Sequence, residues 1–212
     1  ESPEILTELA AMPPVLWRHE TVSDGASGEE FRTDTLVAAL DAGNAEPLRQ
    51  ATLSLRQAVG LRKAVLVAAN IRAEMTESPT AVRRVVFAHH HAVLDRLERE
   101  FTAAGLTVFR LDGTTPPAAR AALETAFQAF DGYGIFLGQN DAAKESLTLT
   151  QAEQVELVEP SFVTDDNLQM VGRIRRHGQR AEKLIARVWG LARSYDQRVA
   201  RILADKAALK QK

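Results

Sequence analysis

The sequence predicts an α/β protein: a parallel sheet covered by helices on both faces and preceded by a helical appendage. Two observations predict it. From Arg84 onward, short apolar runs alternate with helical patterns of about 10–15 residues, the rhythm of strands joined by crossover helices. Before Arg84 the periodicity is helical only. The chain of 212 residues is long enough for one such domain and an appendage, and its 45% apolar share can supply a core. The expected division is therefore 1–83 for the helical appendage or linker and 84–212 for the sheet domain.

The elements follow in order. Ser2-Pro3 opens a helix over Glu4–Ala11, which Met12-Pro13-Pro14 ends. Ser23–Gly28 is a loop. Amphipathic stretches cover Asp34–Ala42, Pro47–Val59 and Arg62–Thr76, with Asp34 as a cap and Gly43 as a stop. Val85–Ala88 is a short buried strand, and a helix over His91–Ala104 stops at Gly105. A strand over Leu106–Leu111 leads through the turn Asp112-Gly113-Thr114-Thr115 into a helix over Pro116–Phe130. Tyr133–Leu137 and Val155–Val158 are strands. A helix over Asp165–His177, a strand over Lys183–Trp189 and a helix over Tyr195–Ala208 complete the chain. In such a sheet, functional residues lie on the loops at the carboxyl ends of the strands.

Composition narrows the functional classes. There is no cysteine, which excludes disulfides and thiolate metal sites and favours an intracellular setting, cytoplasmic or nuclear. No apolar run approaches the roughly 18–20 residues of a membrane span, so no membrane partner is expected. The net charge is −2, so nucleic acid would have to be held by a local patch of clustered side chains, dipoles and backbone amides. The chain starts at Glu1, without an initiator Met, and reads as a fragment. His89-His90-His91 invites a metal reading, but neighbouring histidines at a strand end diverge, and no spaced ligand completes a tetrahedral site; no metal residue is assigned.

The sharpest motif is Gln169-Met170-Val171-Gly172-Arg173-Ile174-Arg175-Arg176-His177-Gly178-Gln179. On a helix, Gln169, Arg173 and Arg176 share one face, while Leu168, Val171 and Ile174 can pack on the sheet. Two guanidiniums and an amide on one face suit a polyphosphate, because each guanidinium offers a planar fork of donors. An Arg-rich helix end alone would read as a solvated terminus complementing the macrodipole; the whole pattern favours the phosphate site.

This stretch resembles motif VI of superfamily 2 helicases, and its His177-Gly178-Gln179 ending resembles Swi/Snf-like ATPases. Val85-Val86-Phe87-Ala88-His89-His90 resembles motif IV, especially of the annealing-helicase branch. Leu111–Thr115, with Arg120 and Phe127, resembles the family's Asp-Gly-Ser/Thr segment. Phe136–Gln139 through Leu147–Thr150 resembles motif V, and Glu159–Val163 the approach to motif VI. The likeness runs from about Lys63 to Ile202, with its segments in the family's order.

The resemblance implies a RecA-like lobe, the second of two, that acts on ATP and Mg bound mainly by an N-terminal RecA-like lobe. No phosphate-cradling G-x-x-x-x-G-K-[ST] loop occurs here. It implies Arg176 as the arginine finger with Arg173 as its partner, both catalytic, and Gln169, Gly172 and Ser146 at the nucleotide. It also implies DNA held by its backbone, without sequence preference, through His90, Thr114, Thr115 and Asn140. Helix capping alone would account for Thr114 and Thr115. The isolated chain is then expected not to hydrolyse ATP. One departure stands out: where motif V usually carries glycines, this chain has Ala142-Ala143-Lys144-Glu145-Ser146, which restricts the loop's shape. A lobe retained as a DNA- or protein-binding module is the alternative that this departure supports.

Overall fold

The computed structural model describes residues 45–78, 82–142, 147–181, 183–191, 194, 196 and 199–200, with side chains from Arg56 onward. Helix α1 spans Ala45–Glu77 and leads into strand β1, Arg83–Ala88. Then come α2 (His91–Ala103), β2 (Thr107–Leu111), α3 (Pro117–Ala129), β3 (Gly134–Gln139), β4 (Gln154–Leu157), α4 (Thr164–Val171) and β5 (Ile185–Val188). The stretches expected as helices at Glu4–Ala11 and Asp34–Ala42, and the loop at Ser23–Gly28, lie outside the described residues, as does most of the expected helix over Tyr195–Ala208.

All five strands are parallel, in the order β2-β3-β1-β4-β5. The chain builds to one side of β1 with β2 and β3, then to the other with β4 and β5. The direction of building therefore reverses at β1. In open α/β sheets, the crevice outside the carboxyl ends of the strands at such a reversal is the usual binding position.

The period of two along each strand divides the core into two clusters. Val86, Ala88, Ile135 and Leu137 face α1 and α2, packing with Val67, Ile71, Met75, Leu94, Leu97 and Phe101. Val85, Phe87, Phe136, Val155 and Leu157 face the other side, against Phe127 of α3, Met170 of α4 and Ile174. The result is a sheet layered between helices, in which α1 is part of the packing and not only a connection to it.

Two helical expectations are corrected. Pro47–Val59 and Arg62–Thr76 form one continuous helix, running through Gly60 without a break. Glycine costs a helix interior about 1 kcal/mol relative to alanine, and here a close approach requires it. A Cβ at Gly60 would stand 2.7 Å from Glu159 Oε1 and 2.8 Å from Val93 Cγ2. The second correction concerns the helix expected over Asp165–His177, which ends at Val171. Beyond it the chain turns: Arg173 N–H bonds to the Met170 carbonyl and Ile174 N–H to that of Val171, both three residues back. The Arg173 carbonyl instead accepts the N–H of Leu149 at 2.9 Å, a tertiary bond in the place of the next helical one. Met170 and Ile174 are buried, while Leu168, expected on the sheet, is 39% exposed.

Candidate functional site

The loops after β1, β3 and β4 meet at the reversal point around one carboxylate, Glu159. Its Oε2 accepts the backbone N–H groups of His89 at 2.9 Å and His90 at 3.0 Å, and its Oε1 lies 2.7 Å from His90 Nδ1. Its backbone carbonyl accepts Asn140 Nδ2 at 2.8 Å. Arg56 of α1 donates to the Pro160 carbonyl at 2.8 Å and lies over the Phe162 ring. Glu159 is 2% exposed. Burial pushes its pKa up, but the hydrogen bonds and charge of His90, with the charge of Lys63, hold it below the ordinary carboxylate value. The carboxylate therefore occupies the amino end of α2, the place where a free helix terminus would attract an external anion.

The loop after β2 is a second polar unit. Arg110 donates to Asp95, Glu98 and Asp112, at 2.6, 2.7 and 2.9 Å. Asp112 Oδ1 in turn accepts Thr114 N–H at 2.9 Å and the Thr114 hydroxyl at 2.6 Å. Burial raises the Asp112 pKa, and the bonds from Thr114 and Arg110 outweigh it, leaving the carboxyl below its ordinary value and ionised at neutral pH. Gln139 joins the two units: its Oε1 accepts Gly113 N–H at 2.9 Å and its Nε2 donates to the His89 carbonyl at 3.2 Å.

His90, Thr114, Thr115 and Asn140 thus lie on one connected network at the carboxyl edge of β1, β2 and β3. They present themselves differently. His90 Nε2 and Asn140 Oδ1 are buried without a protein hydrogen-bond partner, the other polar atom of each side chain being turned toward Glu159. Thr114 is exposed and Thr115 half-buried. His89 is held more neutral than an ordinary histidine, by burial first and then by the charge of Arg56. Its ring packs edge-on against that of His90, while His91 Nδ1 stands 3.7 Å from Asp112 Oδ2. Among the described residues, no three His, Asp or Glu side chains gather as a metal site.

The arginine motif lies beyond β4. Gln169 is exposed on α4, Gly172 caps that helix with right-handed backbone angles, and Arg173 and Arg176 lie on the turns that follow. The shared helical face expected for Gln169, Arg173 and Arg176 is therefore replaced by a helix end and a turn, because the helix stops before either arginine. The two guanidiniums are nevertheless electrostatic neighbours. Arg173 is 6% exposed, and its pKa is lowered, by burial first and then by the positive charge of Arg176. Arg175 and His177 are exposed. Ser146 lies outside the described residues, between the buried Ala142 and Leu147.

The motif's last glutamine is a clamp, a role its place in the sequence does not reveal. Gln179 Nε2 donates to the carbonyls of Ala152 and Ile174, and its Oε1 accepts the N–H groups of Arg180 and Ala181. It fastens the arginine turn to the segment entering β4. Gly178 before it has a φ of +95°, a backbone conformation that side-chain-bearing residues resist. The organising role of Glu159 and the ion pair of Arg110 with the turn residue Asp112 are likewise arrangements that the sequence alone does not show. An acidic residue directly after a buried strand, in Glu159-Pro160, is the available signal for the first.

A parallel sheet with a reversal at β1, a polar network at its carboxyl edge and a paired-arginine turn after α4 are the features of a RecA-like lobe of the helicase type. The comparisons agree. The family model described as the helicase conserved C-terminal domain matches residues 61–178, and the chain belongs to that family. Within it the relatives are Rad5- and Snf2-type ATPases of the Swi/Snf-like kind. The chain is 30% identical over 144 residues to the DNA repair protein RAD5 of Gibberella zeae, a match covering 68% of this chain and 12% of that protein. It is 32% identical over 136 residues to a Caenorhabditis elegans homologue of SWI/SNF-related matrix-associated actin-dependent regulator of chromatin subfamily A-like protein 1, covering 64% of this chain and 20% of that one. The chain thus matches between an eighth and a fifth of the length of these relatives. The crystal structure of the C-terminal part of the Fun30 ATPase domain superposes with a TM-score of 0.59 at 17% identity, covering 96% of this chain and 72% of that one, and supports the fold. Among the described residues, no helix is long and apolar enough to cross a membrane.

Proposed function

We propose that this chain is the second motor lobe of a DNA-dependent ATPase, working intracellularly against an N-terminal RecA-like lobe that cradles ATP and Mg. The observation that carries the reading is the placement of Arg173 and Arg176. Two guanidiniums stand as electrostatic neighbours on the turn after α4, Arg173 buried and Arg176 half-buried, and fork-shaped donors gathered in this way suit the oxygens of a polyphosphate. The relatives' names, a DNA repair protein and a chromatin regulator, support DNA as the partner. Bound between two lobes, ATP supplies the phosphoryl group whose transfer drives the motor. The chain's own part is to bring positive charge and fork-shaped donors to its oxygens as charge develops. Arg176, half-buried where Arg173 is buried, reaches across as the finger and Arg173 backs it; Gln169, Gly172 and Ser146 are assigned to the nucleotide by the family resemblance.

The carboxyl-edge network of His90, Thr114, Thr115 and Asn140 faces the DNA backbone in this reading. Contacts to phosphates carry no sequence information, which suits a motor that moves along DNA. The test is binding of the purified chain to labelled duplexes of unrelated sequence over a series of salt concentrations. Affinity should be weak, alike for all sequences and steeply lowered by salt, since a few phosphate contacts release a few counterions. A strong sequence preference, or binding that survives high salt, would contradict it.

A further inference from the structure

The turn between β2 and α3 uses up nearly all of its own hydrogen-bond donors. Asp112 N–H goes to Thr115 Oγ1 at 3.1 Å, and Gly113 N–H to Gln139 Oε1 at 2.9 Å. Thr114 N–H goes to Asp112 Oδ1 at 2.9 Å, and Thr115 N–H to the Asp112 carbonyl at 3.0 Å. Pro116 and Pro117, which follow, have no N–H to offer. Ala119 and Arg120 N–H both bond to the Pro116 carbonyl. The amino end of α3 is thereby left with few backbone donors for an anion.

Two hydroxyls remain, and they differ. A hydroxyl has one proton. Thr114 Oγ1 lies 2.6 Å from a carboxylate oxygen that can only accept, so its proton is held by Asp112. Thr115 Oγ1 is in the opposite role: it accepts the Asp112 N–H, which leaves its proton free to point outward. Arg120 Nε holds the Thr115 carbonyl at 2.9 Å, fixing the residue and placing a positive charge beside it.

We infer that Thr115, and not Thr114, is the hydroxyl donor this turn offers to a phosphodiester oxygen, with Thr114, Asp112 and Arg110 as positioning residues that keep Thr115 in place. The inference rests on the DNA-backbone reading above and assigns the contact within it. A phosphodiester oxygen accepts and does not donate, so of the two hydroxyls only the one with a spare proton can serve it.

The test is fluorescence anisotropy of the whole 212-residue chain with a short fluorescein-labelled duplex at low salt, with thermal melts of each variant alongside. Thr115→Val should weaken binding about tenfold, the scale of a hydrogen bond to a charged group. Thr115→Ser restores the hydroxyl and should bind within about twofold of the parent, and Thr114→Val, which removes a positioning hydroxyl but no donor to the ligand, should lose less than Thr115→Val. Because Thr115→Ser keeps both the acceptor for Asp112 and the donor for the ligand, its rescue separates a lost contact from a disturbed turn. Equal losses for the two valine variants, a larger loss for Thr114→Val, or no rescue by serine would each overturn the assignment while leaving backbone binding intact. Failure of the parent chain to bind as salt is lowered would overturn the backbone reading, and this inference with it.

Discussion

Arg176→Ala, in a protein joining this lobe to its nucleotide-cradling counterpart, is expected to lower kcat by roughly three to five orders of magnitude, the usual worth of an arginine finger. DNA affinity should change little. The physical reason is that a finger acts on charge that develops during transfer, so its loss appears in turnover more than in ground-state binding. Arg176→Lys should not rescue, since an ammonium keeps the charge but loses the planar fork. Arg175, adjacent in sequence and exposed, is the control, and Arg175→Ala should be mild. The control stands on exposure, because the helix that would have put Arg175 on another face ends at Val171. Steady-state phosphate release with saturating DNA, and anisotropy for DNA affinity, measure the two quantities. Equal damage from Arg175→Ala and Arg176→Ala would remove the basis for the assignment.

A large effect of a different kind is expected at Glu156. This carboxylate is fully buried on β4, and accepts Arg84 Nη1 at 3.1 Å, Gln154 Nε2 at 2.7 Å and the indole Nε1 of Trp189 at 2.7 Å. Burial raises its pKa above the ordinary value, opposed by the charges of Arg187 and Arg84 and by the indole N–H. Glu156→Ala would leave these three donors, all on buried residues, with one acceptor fewer each and a cavity beside them. Breaking such a buried arrangement costs about 3–5 kcal/mol. Urea denaturation should show that loss as a lower midpoint, and Glu156→Gln, which keeps an acceptor, should lose less. A change under about 1 kcal/mol for Glu156→Ala, the scale of an exposed pair, would mean the cluster does not hold β1, β4 and β5 together.

What is legible in the sequence is set by periodicity and local chemistry. The strands from β1 to β5, and α2 ending before Gly105, follow from apolar runs and breakers because those signals are local. So does the parallel, doubly covered sheet. Gly60 misleads because its meaning is tertiary: helical periodicity continues across it, and the space it saves is for Glu159, nearly a hundred residues away in the chain. The end of α4 is hidden for the same reason. Nothing in Gly172-Arg173-Ile174 shows that the Arg173 carbonyl accepts from Leu149 and not from the next turn of a helix. At the site, residue types are readable and their presentation is not. Thr114 and Thr115 look alike in sequence, and only the hydrogen-bond directions around Asp112 distinguish them. Glu159 and Gln179 stand in segments that the sequence singles out, but that each organises backbone groups of distant residues is tertiary and leaves no local signal.

The central claim is that this lobe contributes arginines and DNA contacts to a reaction whose phosphate cradle lies elsewhere. DNA-stimulated ATP hydrolysis tests it most directly, measured for the purified chain alone and for the same chain joined to a lobe bearing a phosphate-cradling loop. The account predicts no turnover above background for the chain alone and DNA-dependent turnover for the joined protein. Clear turnover by the chain alone, abolished by Arg176→Ala, would contradict it.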